Sequence, residues 1–475
     1  MDTLNTVIRV LTTIVTVCTA YQIFYLLVGF FSPKIKFSPA KKKHRYAVVV
    51  TARNEENVIA KLIESIHNQT YDKDKITIFV VADSCSDKTA QICRDLGCIV
   101  YERFNDDPAK ARKGYSLKWL FERLRVDYDI TYFDGFAFFD ADNVLAPNWF
   151  EKMNDAFDTG AGMLTTYRNT KNFDTNFISA AYGIHFYRSS AVYHRPRQRL
   201  GVATHIAGTG YVLSSRLLLE GWHYTSLTED AELTQTMVSR GERIIFCEDA
   251  EFFDEQPHTV KVMIRQRLRW AKGKKAAEMW ANYDVFWYNF PGGLFAALLS
   301  LISLVAGVVS GIIAGTAVSD AITMATSIDF FINLLVTAAV GYIGLTAQAA
   351  IVMLRERKHI HCPLKKKILY VFTFFWYDVT YLPISAVSLF MRVRWKPILH
   401  DKAFDYNQIV RTGGGVSNFP LIPAFAGVVL PPSRSTIWIP KIKSNLRLIG
   451  KNAAYCGVFT LFTAKMDIDF NCLIW

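Results

Sequence analysis

Three short clusters in this 475-residue chain have side-chain types and spacing suited to chemistry. The first is Asp140-Ala141-Asp142. In extended backbone, residues i and i+2 point to one side, so the two carboxylates can converge on one cation. Hard divalent ions take such oxygens and complete their shell with water or phosphate. The second is Thr228-Glu229-Asp230, which sets two carboxylates side by side and can equally cap a helix. The third is Gln266, Arg269 and Trp270. At spacings i, i+3 and i+4 they share a helical face, offering an amide, a guanidinium and an indole. That surface suits a charged phosphate and a stacked sugar ring, or a basic interfacial helix beside a membrane.

The elements that must position these clusters are legible in the pattern of apolar residues. Strand-like runs at Tyr46–Val50, Ile76–Ala82, Ile99–Arg103 and Phe136–Ala141 alternate with helical stretches at Ile59–Gln69 and Lys88–Leu96. This alternation predicts an α/β fold with a mainly parallel, doubly wound sheet, which binds ligands at the carboxyl ends of its strands. Polar residues gather at those ends: Thr51–Glu56, Asp83–Asp87 and Asp140–Asn143. Gly208-Thr209-Gly210 stands before what reads as an apolar helix start. There is no Gly-rich phosphate loop ending in Lys-Ser or Lys-Thr, which weighs against a P-loop nucleoside triphosphatase.

Composition divides the chain into apolar and charged segments. It is 51% hydrophobic and 20% charged with a net charge of +12, which excludes a disordered chain and a protein made only of membrane spans. Leu11–Phe31 carries no formal charge over 21 residues, enough for a bilayer span. Lys34, Lys36, Lys41–Lys43 and Arg45 follow it and predict a cytoplasmic flank. Further spans are expected in Val285–Ser319, Phe330–Leu354 and Ile368–Phe390. A fourth crossing would put Arg392, Arg394 and Lys396 outside, so either the last segment is re-entrant or the first of the three is miscounted. Asp378 within the last is either a functional group or a partner for a helix dipole or a Tyr hydroxyl. The eight cysteines show no C-x-x-C and no zinc spacing, as expected of thiols in a reducing compartment.

Taken in order, Thr51–Glu56, Ala82–Asp87, Ala111–Leu117, Asp140–Asp142, Thr228–Asp230 and Gln266–Trp270 resemble the motifs of membrane-embedded family 2 glycosyltransferases. That group includes cellulose, hyaluronan, chitin and poly-N-acetylglucosamine synthases. The resemblance covers about residues 45–275 and implies a GT-A-type doubly wound mixed sheet inserted between transmembrane helices. It implies that Glu55 and Asp83 hold the nucleotide base, that Lys113 contacts the nucleotide, and that Asp140 lies by the nucleotide-sugar. Asp142, with Asp140 beside it, would hold Mg²⁺ or Mn²⁺, and Asp230 would be the general base. Gln266 and Arg269 would bind the diphosphate, and Trp270 and Glu229 would meet the acceptor.

The implied activity is inverting transfer from a UDP-sugar onto a growing β-linked polysaccharide, translocated across the plasma membrane from a cytoplasmic catalytic domain. The alternative is transfer of a single sugar to a lipid or lipid-phosphate acceptor. The implied partners are the donor, the acceptor, the lipid bilayer and an export or accessory subunit, with no nucleic acid. The expected segments are a helix and basic flank (1–39), the catalytic domain (40–282), a membrane region (283–400) and a tail (401–475). Two departures stand out: Ala82–Asp87 lacks the paired acids followed by Gly-Ser that the family more often shows, and residues 413–475 show no resemblance.

Overall fold

The computed structural model describes residues 2–274, 328–393 and 403–412, with two further helical positions at 305 and 309. Helix α1 (Asp2–Phe31) precedes β1 (Tyr46–Ala52), α2 (Ile59–His67), β2 (Ile76–Asp83), α3 (Thr89–Asp95) and β3 (Ile99–Arg103). Then come α4 (Lys113–Asp127), β4 (Gly135–Asp140), β5 (Val144–Leu145), α5 (Trp149–Phe157), β6 (Met163–Thr170) and α6 (Phe177–Arg188). They lead to α7 (Arg195–Arg199), β7 (Tyr211–Ser214), α8 (Glu229–Ser239), β8 (Ile244–Asp254) and α9 (Val260–Lys274). Helices α10 (Ile328–Arg355), α11 (Leu364–Val379), α12 (Tyr381–Phe390) and α13 (Tyr406–Thr412) complete the described residues.

The strands form one mixed sheet in the order β3-β2-β1-β4-β7-β6-β8-β5. Strands β3, β2, β1 and β4 run parallel, β7 is antiparallel to both its neighbours, and β6 and β8 are parallel. The residues of β1 show why the sheet is covered on both faces. Tyr46, Val48 and Val50 pack with Ile59, Leu62, Ile63 and Ile66 of α2 and with Trp149, Phe150 and Met153 of α5. Ala47 and Val49, pointing the other way, pack with Leu117, Leu120, Phe121 and Leu124 of α4. The α2 spacing of i, i+3, i+4 and i+7 is one apolar stripe of a helix. Each such buried side chain contributes about 1.5–3 kcal/mol.

Gly208-Thr209-Gly210 precedes a strand, not the predicted helix. Tyr211–Leu213 have high strand propensity and pair with Phe136–Phe138 of β4. Gly210 is left-handed (φ +65°), and a Cβ there would collide with the Phe252 ring.

The expected spans need correction. Among the described residues, no helix is long and apolar enough to cross a membrane. The predicted Ile368–Phe390 span is broken at Thr380 into α11 of 16 residues and α12 of 10. At 1.5 Å per residue these reach about 24 and 15 Å, short of a hydrocarbon core of about 30 Å. Arg267 of α9 sits at that break, donating to the Tyr377 carbonyl and to Thr380 Oγ1 (2.6 Å). Most of Val285–Ser319, and the tail from 413 onward, lie outside the described residues.

Helices α6, α10 and α11 share a third core with β6, built from Tyr167, Tyr182, Tyr187, Val352, Phe374 and Tyr377. Asp378 pairs there with an arginine. Its Oδ1 accepts from Arg188 Nη2 at 3.0 Å, while Arg188 Nη1 donates to Gln348 Oε1 at 3.1 Å, so one guanidinium ties α6 to both α10 and α11.

Candidate active site

The carboxyl ends of β1, β2 and β4 open into one cavity of about 750 Å³. All ten residues singled out from the sequence line it: Glu55, Asp83, Lys113, Asp140, Asp142, Glu229, Asp230, Gln266, Arg269 and Trp270. The sheet order places the change from β1-β2-β3 to β4 at the middle of this opening, which is where open α/β sheets bind ligands.

At the β1–β2 end the chain turns through two left-handed residues that are not glycine, Asn54 (φ 56°) and Ser84 (φ 54°). Asn54 stabilises its turn by accepting from Ser86 N at 2.8 Å. Short polar side chains tolerate this conformation because they bond to nearby backbone. Between the turns Asp83 is buried and heavily engaged. Its Oδ2 accepts from Arg53 Nη2 (2.5 Å) and Ser116 Oγ (2.7 Å), and its Oδ1 accepts from Arg103 Nη1 (2.8 Å). Arg53 Nε also donates to the Asp83 carbonyl at 2.9 Å.

In the middle, Asp140 stands at the end of β4 with its side chain 41% exposed, and Lys113 from the start of α4 pairs with its Oδ1. Lys113 also donates to the Gly208 carbonyl at 2.7 Å. Burial disfavours the charge on Lys113, but Asp140 and Glu229 outweigh it and hold the ammonium above its ordinary pKa. Asp142 lies deeper. Its Oδ1 accepts from Asn143 Nδ2 (3.1 Å) and its Oδ2 from Glu255 N (3.0 Å), and buried Lys171 donates to its carbonyl.

This donor set fits a divalent cation. Asp140, Asp142 and Glu255 present carboxylates, the hard oxygen donors such ions prefer, to one opening. Among the described residues no three acid, His or Cys side chains close into a cage. Such a partial set matches Mg²⁺ or Mn²⁺, which keep several positions for water and substrate phosphate.

The opposite wall comes from α8 and α9. Glu229 and Asp230 occupy the first turn of α8 behind Thr228, whose side chain makes no capping bond. Burial, with Asp230 adding to it, pushes the Glu229 carboxyl up to about 7 against the pull of Lys113 and Arg269. Asp230 faces Gly208, where a Cβ would stand 3.4 Å from Asp230 Oδ2. On α9, Arg269 donates to the Leu227 carbonyl at 3.0 Å, and Trp270 packs among Tyr182, His185 and Phe186.

Sequence reasoning missed several residues here. Arg53 and Ser116 sit inside motifs it had marked, yet nothing in their spacing points to Asp83. Arg168 lies in mid-strand on β6, pairs with Asp254 and holds the Ala207 carbonyl at 3.0 Å. A lone strand arginine carries no signal of its own.

Residues 44–273 match the family described as "Glycosyltransferase like family 2". "Probable glycosyltransferase YdaM" of Bacillus subtilis is 27% identical over 250 residues, 50% of this chain and 56% of that protein. The beta-monoglucosyldiacylglycerol synthase of Trichormus variabilis is 25% identical over 231 residues, 48% of each chain. The chain thus spans about half the length of the curated relatives it matches. In fold it is similar to the mannosyltransferase PcManGT from Pyrobaculum calidifontis, solved with GDP-Man and Mn²⁺. That match has a TM-score of 0.50 at 16% identity and covers 81% of this chain and 98% of the other. Residues 44–273 therefore match glycosyltransferase family 2, on a GT-A-like mixed sheet.

Proposed function

We propose that this chain is a membrane-bound, inverting glycosyltransferase that moves one sugar from a nucleotide-diphosphate sugar to a lipid or lipid-phosphate acceptor. One observation carries the reading. The cavity that holds Asp83, Asp140 and Asp230 is also lined by Tyr25 of α1 and Gln348 of α10, helices with exposed apolar side chains such as Val17, Phe24, Leu335 and Ile343. A donor site continuous with such helices suits an acceptor whose tail stays in lipid. The beta-monoglucosyldiacylglycerol synthase among the relatives supports it. The same helices, and the basic flank at Lys34–Arg45, support a place at the cell membrane with the catalytic domain cytoplasmic.

In this mechanism Asp230 accepts the proton of the acceptor hydroxyl as its oxygen attacks the anomeric carbon. The bond from that carbon to the diphosphate oxygen breaks, and the nucleotide diphosphate leaves with the electron pair. Attack opposite the leaving group inverts the anomeric centre. Lys113 and Arg269 neutralise the charge that develops on the diphosphate. A divalent ion held by Asp140 and Asp142 would supply further Lewis-acid stabilisation of the same oxygens.

Elongation of a β-linked polysaccharide, with export of the product, is the second reading, favoured by Gln266, Arg269 and Trp270 lining one wall of the cavity. Labelled donor, Mn²⁺ and extracted lipid, followed by separation of products by size, decides between them. A single lipid-soluble product supports the first reading. A ladder of lengthening products replaces it with the second.

A further inference from the structure

We infer that Gln235 of α8 is an acceptor-specificity residue that grips a pair of neighbouring hydroxyls, so that the acceptor is a lipid already carrying a sugar. The inference rests on the transfer reading above and deepens it. Gln235 belongs to none of the clusters singled out from the sequence, and it lines the cavity on the same helix as Asp230. Its side chain is 1% exposed, and among the described residues neither its Nε2 nor its Oε1 has a hydrogen-bond partner. A buried amide unmet at both ends is costly, and a ligand that meets both ends removes the cost. Thr228 Oγ1 and Gln266 Oε1 line the same cavity and are likewise buried without a partner among those residues. Thr228, Ala231 and Gln235 fall at i, i+3 and i+7 on one face of α8, and the short Ala231 side chain leaves room between the polar groups.

The place of Gln235 follows from its surroundings. Lys113 pairs with Asp140 and donates to the Gly208 carbonyl, and Gly208 faces Asp230. Two residues before Gly208, Ile206 N donates to Thr234 Oγ1 at 3.1 Å. Residues 204–208 thus run beside α8 from Asp230 toward Gln235, and all of them line the cavity. From Asp230 to Gln235 the helix rises about 7.5 Å. A hexose ring with its hydroxyls spans a similar length.

The chemistry of the amide narrows the ligand. Nε2 donates and Oε1 accepts, so the partner must bring an acceptor and a proton together. An ionised phosphate brings no proton for Oε1. A lipid alcohol with a single hydroxyl spends it as the nucleophile at Asp230 and has nothing left for Gln235. Two neighbouring hydroxyls of a sugar answer both needs, one oxygen accepting from Nε2 and the other hydroxyl donating to Oε1. A third hydroxyl of the same ring then attacks the donor. Its oxygen bonds the anomeric carbon, its proton passes to Asp230, and the nucleotide diphosphate leaves with the electron pair of the broken bond.

The test uses the full chain in mixed micelles with Mn²⁺ and labelled UDP-glucose, UDP-galactose, UDP-N-acetylglucosamine or GDP-mannose. The acceptors are monoglucosyldiacylglycerol, diacylglycerol and a polyprenyl phosphate. We expect kcat/KM for the glucosyl lipid to exceed that for either other acceptor by at least about 10-fold. Gln235→Leu, or Gln235→Met if the first does not fold, should raise the KM for the glucosyl lipid by about 10-fold and leave nucleotide affinity unchanged. The same variant should raise Tm by about 2 °C, because it removes an unmet buried amide, whereas loss of a purely structural amide lowers Tm. Equal or better transfer to diacylglycerol or to the polyprenyl phosphate overturns this inference and leaves the lipid-acceptor reading intact. An unchanged KM for the glucosyl lipid in the folded variant, or a lowered Tm, overturns the role of Gln235. No transfer to any of the three acceptors overturns both this inference and the reading beneath it.

Discussion

The two walls of the cavity are built on opposite electrostatic plans. On the β1–β2 wall, Asp83 is matched by two guanidinium groups and a hydroxyl, with each partner on a different element. On the α8 wall, Glu229 and Asp230 stand side by side at one helix start, and burial makes their shared charge costly. The first wall is settled before any ligand arrives, so it suits recognition. The second is electrostatically crowded, and the crowding is relieved when a proton is taken up there. A base should sit where adding a proton is favourable.

That contrast predicts that the walls can be disabled separately, and the largest effect belongs to Asp230. Asp230→Asn should lower transfer by about 10³-fold while leaving nucleotide affinity near normal, as titration and a labelled-donor assay would show. A matching loss of nucleotide binding would mean the two walls act as one. Next comes Asp142→Ala, which should weaken metal-dependent nucleotide binding on the order of 100-fold, read by titration with and without chelator. Equal binding in both conditions would remove Asp142 from the cation site. Trp270→Ala should raise the acceptor KM by about 10-fold with the donor KM unchanged. A shift in donor KM instead would assign α9 to the nucleotide wall.

The smallest effect is on stability. The folded pKa of Glu229 lies above its ordinary 4.5, at about 7. The folded state therefore holds this proton more tightly, and the resulting stability is full at low pH and is lost as pH rises through about 7. Glu229→Gln should raise Tm at pH 8 by about 2–4 °C and leave it unchanged at pH 5. A gain of the same size at both values would show that charge crowding is not the cause.

Much of the sheet and the site was legible in the sequence because both depend on local pattern. Val48-Val49-Val50 had to be a strand buried on both faces, and Asp140 and Asp142 had to share a side. The partners of those residues were not legible. Arg53, just past the end of β1, and Arg103, on β3, both reach Asp83, and only the parallel register that sets Asp83 opposite Arg103 brings the second of them close. The last apolar segment, Ile368–Phe390, was misjudged for a related reason. Uninterrupted hydropathy across Thr380 conceals a break that Arg267, from a helix more than a hundred residues earlier, occupies.

That arginine makes α9 a lever. One side of the helix carries Gln266, Arg269 and Trp270 into the cavity, while Arg267, Leu268 and Ala271 seat it against α11 and α12. Arg267 is bracketed by the Tyr377 and Tyr381 rings at 4.0 and 5.0 Å, so the fulcrum is held from both flanks of the break. Trp270 lies one helical turn from Arg267, so the contact at the break and the cavity wall share one stretch of α9. The shape of that cavity wall thereby depends on a contact made at the α11–α12 break, outside the cavity itself.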